Sequence, residues 1–227
     1  MWDELSEWWS TEVASDPAYV EEVIPLLVGL LEPRAGEEIL DAGIGEGQVA
    51  RTVGALGAKV TGVDLSLGLA SAAGSSVVGS IQNLEFFRNE SFDASYVCLV
   101  LEHLDVLGPV FEELGRVTKP GGRLALVMNH PIATAPESGP IMDPVDGELF
   151  WRPGQYLGDG FTEEPAGDSV VRFYHRSISA LVNTAAAAGF SLLRMEERGV
   201  SSRQIARDPG YAGHEHHVKL LGCLWKA

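Results

Sequence analysis

The stretch EEILDAGIGEGQVARTV, residues 37–53, constrains the fold of this chain more than any other feature. An apolar run ends at Asp41, and Gly43, Gly45 and Gly47 then alternate with other residues before a helix-like segment. Glycine turns between a strand and a helix bind phosphates, dinucleotides and other cofactors in open α/β sheets. The stretch therefore predicts a strand–turn–helix unit that holds a ligand at its turn.

Strand and helix signals alternate along the chain without internal repeats. The continuous apolar run at 96–101 is typical of a central strand that is covered on both faces. Two strand-like runs near the end, 190–197 and 216–225, predict a closing antiparallel hairpin. The other predicted strands are 39–41, 58–64 and 123–129. The predicted helices are 47–56, 107–117 and 177–188. This order predicts an α/β fold with a Rossmann-like, doubly wound, mostly parallel sheet and helices on both faces.

Length and charge limit the classes of function. A chain of 227 residues is long enough for one substantial α/β domain, here 1–227, and short for two. The net charge of -16 repels nucleic acid backbones and anionic membrane surfaces. We therefore expect neither nucleic acid nor a membrane as partner, and the sequence leaves the oligomeric state open.

The remaining compositional signals favour a cytoplasmic protein without a structural metal. Cys98 and Cys223 both lie in apolar runs, which predicts buried, reduced thiols and no disulfide framework. The N-terminal residues lack the basic and apolar regions of a signal peptide. The run HEHH at 214–217 resembles a metal-binding tract, but we interpret it as the exposed start of a strand in which only His214 and His216 share a face.

Two segments stand outside the alternating pattern. Residues 1–33 predict a helical N-terminal cap, and Trp2, Leu5, Trp8 and Trp9 form an apolar stripe on it at helical spacing. This stripe either packs against the domain or forms a hinged cover over a substrate. Residues 131–176 predict an inserted lid, since residues 131–167 contain half of the chain's 12 prolines and can form neither a long helix nor a central strand.

The glycine turn fits some ligands better than others. No Walker A pattern occurs, which disfavours nucleoside triphosphates. Gly45, Gly47 and Ala50 satisfy the G-x-G-x-x-A dinucleotide pattern, with Asp64 at a plausible distance for a ribose. Asp41, however, suits a ligand with a positive charge and would repel a pyrophosphate.

Four ordered blocks resemble the class I S-adenosylmethionine-dependent methyltransferases. They are ILDAGIGEG at 39–47, VTGVDLS at 60–66, SFDASYVCLVLEHL at 91–104 and ELGRVTKPGGRLALV at 113–127. The resemblance implies a seven-stranded sheet with one antiparallel strand, and S-adenosyl-L-methionine as a cofactor that leaves as S-adenosyl-L-homocysteine. It also implies that the segment after the fifth strand is a substrate cap.

The resemblance also assigns cofactor-binding residues. Asp41 would face the methionine ammonium, and Asp64 would accept hydrogen bonds from the ribose hydroxyls. Leu65 would line the adenine, and Ser80 stands where the family usually has an acid that recognises the adenine amino group. The other implied contacts are Gly43, Gly45 and Gly47 at the turn, Ile81 near the adenine, and Val100 beneath the transferring methyl group.

Histidines are the candidate catalytic residues. Methyl transfer from a sulfonium mainly requires that the nucleophile be held in line in a dry site. A hydroxyl nucleophile also gains from a general base, and histidine suits neutral pH. His103 follows the fourth strand and His130 follows the fifth, at the carboxyl edge where open α/β sheets bind ligands.

The sequence thus predicts a small-molecule methyltransferase that acts on a hydroxyl oxygen of an apolar or aromatic metabolite. Methylation of nitrogen or carbon is the closest variant of this prediction. An NAD(P)-dependent oxidoreductase with the same kind of turn remains an alternative, as does a non-catalytic cofactor-binding protein of the same fold.

Overall fold

Seven strands form the central sheet of the computed structural model, which describes residues 2–13 and 16–227. They are β1 (Glu38–Ala42), β2 (Lys59–Asp64), β3 (Ser76–Val78), β4 (Phe92–Cys98), β5 (Thr118–Asn129), β10 (Ser191–Gly199) and β11 (Val218–Lys226). Their order is β10-β11-β5-β4-β1-β2-β3. Strand β11 runs antiparallel to both of its neighbours, and the other pairs are parallel. The predicted fold class and the closing hairpin are confirmed.

Helices cover both faces of this sheet. They are α1 (Trp2–Trp8), α2 (Ile24–Leu31), α3 (Gln48–Ala55), α4 (Leu67–Ala73), α5 (Gly108–Val117), α6 (Pro131–Thr134), α7 (Ile178–Ala187) and α8 (Ser202–Arg207). π-helical turns span Trp9–Val13 and Tyr19–Val23, and 3₁₀ turns span Leu101–His103 and Pro209–Tyr211. Within the described residues, no helix is both long and apolar enough to cross a membrane.

Successive residues of the central strands belong to different cores. In β1, Leu40 packs with Phe111 of α5, whereas Ile39 belongs to the cluster that contains Leu27 of α2 and Val53 of α3. Because strand side chains alternate between faces, β1 is buried on both sides. Two covered faces hold the carboxyl ends of β1, β2 and β4 in a fixed arrangement, and the candidate site lies at these ends.

The segment 131–176 folds as two β-hairpins outside the main sheet. Strands β6 (Gly139–Met142) and β7 (Leu149–Arg152) form the first, and β8 (Gly160–Ala166) and β9 (Ser169–His175) form the second. These short strands agree with the expectation of neither a long helix nor a central strand. We call residues 131–176 the lid segment, and its function as a lid remains a proposal.

Helix α1 packs on the second hairpin of the lid segment. Leu5 is buried beside Ala166 and Val171, and Trp8 and Phe173 complete this small apolar cluster. A polar contact ties the same helix to the main domain, since Asp3 Oδ1 accepts hydrogen bonds from Ser66 Oγ at 2.6 Å and from Gly68 N at 3.2 Å. The apolar stripe predicted at the N-terminus therefore packs against the domain, and it lies beside the candidate site. Residues 1, 14 and 15 of the predicted cap lie outside the described residues.

Candidate functional site

A cavity opens where β1, β2 and β4 end, and we call it the glycine-turn cavity. Gly43 and Gly45 line it from the turn, and Asp64 lines it from the end of β2. The three turn glycines have φ angles of 95°, 55° and 81°, which glycine adopts readily and other residues rarely do. Gly47 is the residue before α3 and does not line the cavity.

Asp64 holds the turn in place through both of its carboxylate oxygens. Oδ2 accepts a hydrogen bond from Gly45 N at 2.8 Å, and Oδ1 accepts one from Ser66 N at 2.9 Å. Burial raises the pKa of Asp64, and the two backbone N–H groups act in the opposite direction. Each oxygen keeps lone-pair capacity beyond these bonds, so the carboxylate can also accept from a ligand in the cavity.

Gly43 allows a close approach between the turn and Val100. A Cβ at position 43 would overlap Val100 Cγ2 and lie 3.1 Å from Cγ1. Valine is stiff about χ1 and cannot move aside cheaply. The absence of a side chain at Gly43 thus lets the turn and the end of β4 meet at the cavity.

Replacing Gly43 with alanine should lower the free energy of unfolding by about 2–4 kcal/mol, from the positive φ together with overpacking against Val100. Gly36→Ala is a matched control, because Gly36 has φ of 85° and no atom within 4 Å of an added Cβ. That control should cost only about 1–2 kcal/mol. Urea denaturation of both variants measures the difference, and equal losses would contradict the close approach.

Asp41 lies behind the cavity and is not one of its lining residues. The side chain is buried, and its Oδ2 accepts a hydrogen bond from the Tyr96 hydroxyl at 2.6 Å. Burial raises the pKa of Asp41 to about 8, while the bond from Tyr96 acts in the opposite direction. The acid that indicated a cationic ligand in the sequence thus lies one layer deeper than expected, outside the cavity lining.

Replacing Asp41 with asparagine should change how stability depends on pH. The folded-state pKa of about 8 exceeds the unfolded value, so this carboxyl contributes stability that is full below about pH 4 and is lost as pH rises towards 8. The slope is at most about 1.4 kcal/mol per pH unit in that window. Asp41→Asn should remove this component from urea unfolding free energies measured between pH 5 and 8.5. An unchanged pH profile would show that Asp41 does not titrate in this range.

The predicted adenine end also lines the cavity. Leu65, Ser80, Ile81 and Val100 are all lining residues, as is Gln82. Ser80 Oγ accepts a hydrogen bond from Gln82 N at 3.2 Å, and Gln82 Nε2 donates to Val106 O at 2.9 Å. The structure therefore brings the residues of this end together, and adenine recognition by Ser80 stays a prediction.

His103 lines the glycine-turn cavity. Its Nδ1 lies 3.0 Å from the carbonyl oxygen of Arg172, and because a carbonyl can only accept, Nδ1 must carry the proton. In the neutral ring the lone pair therefore resides on Nε2, for which the described residues provide no hydrogen bond. Trp2 and Phe173 pack around the ring, with centroids 5.0 and 4.7 Å from it.

His130 lies elsewhere, so its predicted catalytic role finds no support in the geometry. It lines neither this cavity nor the second one described below. Its Nδ1 accepts from Ile132 N at 3.1 Å as the N-cap of α6, and its Nε2 lies 2.8 Å from Glu197 Oε1. Burial lowers the pKa of His130. His130 does follow β5 at the carboxyl edge of the sheet, as predicted. The chain turns directly after β5, and the His130 side chain caps α6 there.

Several lining residues were not predicted as site residues. Trp2, Trp9 and Tyr19 enter from the N-terminal segment, where the aromatic stripe was the only sequence signal. Gln48 lines the cavity as the first residue of α3, and its Oε1 is buried without a hydrogen bond from the described residues. A polar residue directly after the glycine turn could have been recognised, because a helix N-terminus faces the ligand there.

A second cavity of about 410 Å³ lies between the lid segment, α1 and the end of β5. Its lining residues are Trp8, Asn129, Ala133, Thr134, Ala135, Thr162, Glu164, Pro165, Val171 and Phe173. Phe173 connects the two cavities, since its ring packs on His103, which lines the other one. We call this space the lid cavity.

Residues 40–126 match the family model described as a methyltransferase domain. The chain is 34% identical over 110 residues to a demethylmenaquinone methyltransferase of Tropheryma whipplei, covering 45% of this chain and 46% of that protein. It is 31% identical over 132 residues to a ubiquinone biosynthesis O-methyltransferase of Xanthomonas oryzae pv. oryzae, covering 53% and 55%. The matches therefore span about half the length of these curated relatives.

Solved structures share the fold over most of the chain. An S-adenosylmethionine-dependent methyltransferase from Mesorhizobium loti superposes with a TM-score of 0.79 at 24% identity, covering 92% of this chain and all of that one. A 1,6-didemethyltoxoflavin-N1-methyltransferase from Burkholderia thailandensis, solved with S-adenosylhomocysteine, gives a TM-score of 0.59 at 18% identity, covering 98% and 86%.

Proposed function

We propose that this chain transfers a methyl group from S-adenosylmethionine to a small molecule, because residues 40–126 match a methyltransferase-domain model. The chain is also similar in fold to an S-adenosylmethionine-dependent methyltransferase and in sequence to a demethylmenaquinone methyltransferase. The glycine-turn cavity is the proposed cofactor site. The acceptor is proposed to be a quinone-type or other aromatic compound that is methylated on a ring hydroxyl, with carbon or nitrogen as the variants. Support for this class comes from the demethylmenaquinone and ubiquinone methyltransferases to which the chain is similar.

The charge of the glycine-turn cavity is the observation that carries the proposal. Its described lining includes the carboxylates of Asp64 and Glu46 and no lysine or arginine. Such a site attracts the cationic ammonium and sulfonium of S-adenosylmethionine and repels the pyrophosphate of a dinucleotide. Gln48 Oε1, buried without a partner among the described residues, supplies a further acceptor. The residues present therefore fit this cofactor.

The chemistry that the cofactor supplies is an electrophilic methyl group on a sulfonium. Asp64 is proposed to hold the ribose hydroxyls, and the Gly43 turn allows close approach of the methionine part. His103 is proposed to accept the hydroxyl proton of the acceptor on Nε2, since its Nδ1 proton is held by the Arg172 carbonyl. The Trp2 and Phe173 rings around His103 exclude water, which strengthens electrostatic interactions in the site.

The N-terminal segment is proposed to cover the bound cofactor. The glycine-turn cavity has a volume of about 130 Å³, below the roughly 300–1,000 Å³ typical of ligand sites. Trp2 and Trp9 line it from the N-terminal segment, and outward movement of this segment would enlarge it. Lid and loop closure of this kind commonly gates enzyme active sites.

A comparison of two ligands separates the methyltransferase proposal from the oxidoreductase alternative. S-adenosylhomocysteine at 100 times its Kd should stabilise the protein by about 2.7 kcal/mol, seen as a rise in melting temperature. NADH at the same concentration should have no effect, because no cationic side chain among the described lining residues can pair with its phosphates. Stabilisation by NADH and not by S-adenosylhomocysteine would contradict the methyltransferase proposal and favour an oxidoreductase.

A further inference from the structure

Asn129 lines the lid cavity, and its side-chain amide has a fixed orientation. Asn129 ends β5 and is one of the residues that line this cavity. Both its backbone N, at 3.2 Å, and its side-chain Nδ2, at 3.0 Å, lie within hydrogen-bond distance of Glu102 Oε1. The backbone N–H can only donate, so Oε1 acts as an acceptor at this position. The side-chain group facing it is therefore the NH₂, and the amide oxygen faces away.

That amide oxygen is available to a ligand. No described residue donates a hydrogen bond to Asn129 Oδ1, and it is not among the buried atoms that lack a partner. Glu102, in contrast, is fully buried and lines neither cavity. The orientation of the Asn129 amide is thus set by a carboxylate that the ligand does not touch.

The rest of the lid cavity agrees with a donor-bearing ligand. Glu164 adds a second acceptor, while Trp8, Val171 and Phe173 supply apolar surface. Its described lining contains no lysine, arginine or histidine, so an acidic ligand would find no cationic partner there. Phe173 places this surface next to the ring of His103.

We infer that the lid cavity is the acceptor site, and that Asn129, positioned by Glu102, selects acceptors with an apolar ring and a hydroxyl or N–H donor. This inference rests on the proposed methyltransferase function. In it, Asn129 contacts the acceptor and Glu102 is a positioning residue that acts through Asn129. A ligand that offers only acceptor groups, such as an ether, loses this hydrogen bond and leaves Oδ1 desolvated.

Two naphthalenes that differ in one group test this selection. After saturation with S-adenosylhomocysteine, calorimetry should show that 1-naphthol binds about five- to tenfold more tightly than 1-methoxynaphthalene, as expected for one hydrogen bond. The preference ratio is the readout, because a general loss of structure weakens both ligands and leaves their ratio unchanged. Asn129→Leu should reduce the ratio to about one.

Glu102 variants test the positioning role. Glu102→Met removes the acceptor at similar size and should reduce the ratio, although Asn129 is still present. Glu102→Gln keeps an oxygen that can occupy the Oε1 position, and it should retain most of the preference. If Glu102→Met does not fold, Asn129→Leu and Glu102→Gln still decide the result.

The outcomes distinguish this inference from the proposed function. Failure of S-adenosylhomocysteine to bind overturns the proposed function. Binding of S-adenosylhomocysteine together with equal affinity for the two naphthalenes, or no affinity for 1-naphthol, overturns only the role of the lid cavity and Asn129. A ratio that survives in Asn129→Leu does the same.

Discussion

Replacing Asp64 with alanine should weaken the binding of S-adenosylhomocysteine at least 100-fold. The Asp64 carboxylate is proposed to accept hydrogen bonds from both ribose hydroxyls, and each bond to a charged group contributes about 1.5–3 kcal/mol. The same change removes the acceptor of Gly45 N, so the glycine turn also loses the contact that fixes it. Calorimetric titration measures the change in Kd.

Asp93→Ala is a suitable control for this prediction. Asp93 Oδ2 likewise accepts from a backbone N–H, that of Glu38 at 2.9 Å, and Oδ1 contacts Lys119 Nζ at 2.5 Å. It lies at the start of β4, whereas the glycine-turn cavity lies at the opposite ends of the strands. This variant should melt at a lower temperature with an unchanged Kd. An Asp64→Ala protein with the Kd of the wild type would place the ribose elsewhere.

Replacing His103 with glutamine should lower kcat by about 10²–10³, within the range observed for general bases. The Kd of S-adenosylhomocysteine should change little, because His103 is proposed to act on the acceptor. Initial rates with 1,4-dihydroxynaphthalene, kept reduced by dithiothreitol, provide the measurement. Glutamine can still donate to the Arg172 carbonyl, so the loss reports on the missing base more than on altered packing.

His130→Gln is the matched control at the second predicted histidine. Its ring caps α6 and contacts Glu197, so its replacement should lower thermal stability. The kcat should stay within about twofold of the wild type, because the variant loses no general base. A kcat of His103→Gln equal to that of the wild type would show that His103 is not the general base. A large loss of kcat in His130→Gln would instead assign a catalytic role to His130, although it lines neither cavity.

The sheet and the glycine turn could be predicted because their signals are local. The apolar run at 96–101 indicates a strand that is buried on both faces. The glycines that follow Asp41 indicate a backbone with positive φ. The helix start at Ser177 was predicted for the same reason, since a serine side chain satisfies a free N–H of the first turn. In each case neighbouring residues determine the structure.

The contacts between distant segments could not be predicted in this way. His130 contacts Glu197, 67 residues away. Glu102, just after β4, contacts Asn129 at the end of the neighbouring strand β5. The run at 214–217 also differs from the prediction: it lies in a turn before β11, and His214 and His217, rather than His214 and His216, pack at 5.2 Å. A single sequence contains no signal for such pairings.

The contact between Asp3 and Ser66 links the N-terminal segment to the proposed cofactor site through one residue, Ser66. Ser66 donates its backbone N–H to Asp64 and its hydroxyl to Asp3, so the proposed ribose ligand and α1 share one short chain of hydrogen bonds. If α1 covers the cofactor as proposed, S-adenosylhomocysteine bound at Asp64 would leave past Trp2 and Trp9 only after α1 separates from Ser66. We therefore expect the Asp3–Ser66 contact to slow the departure of product between turnovers, as closing segments do in many enzymes.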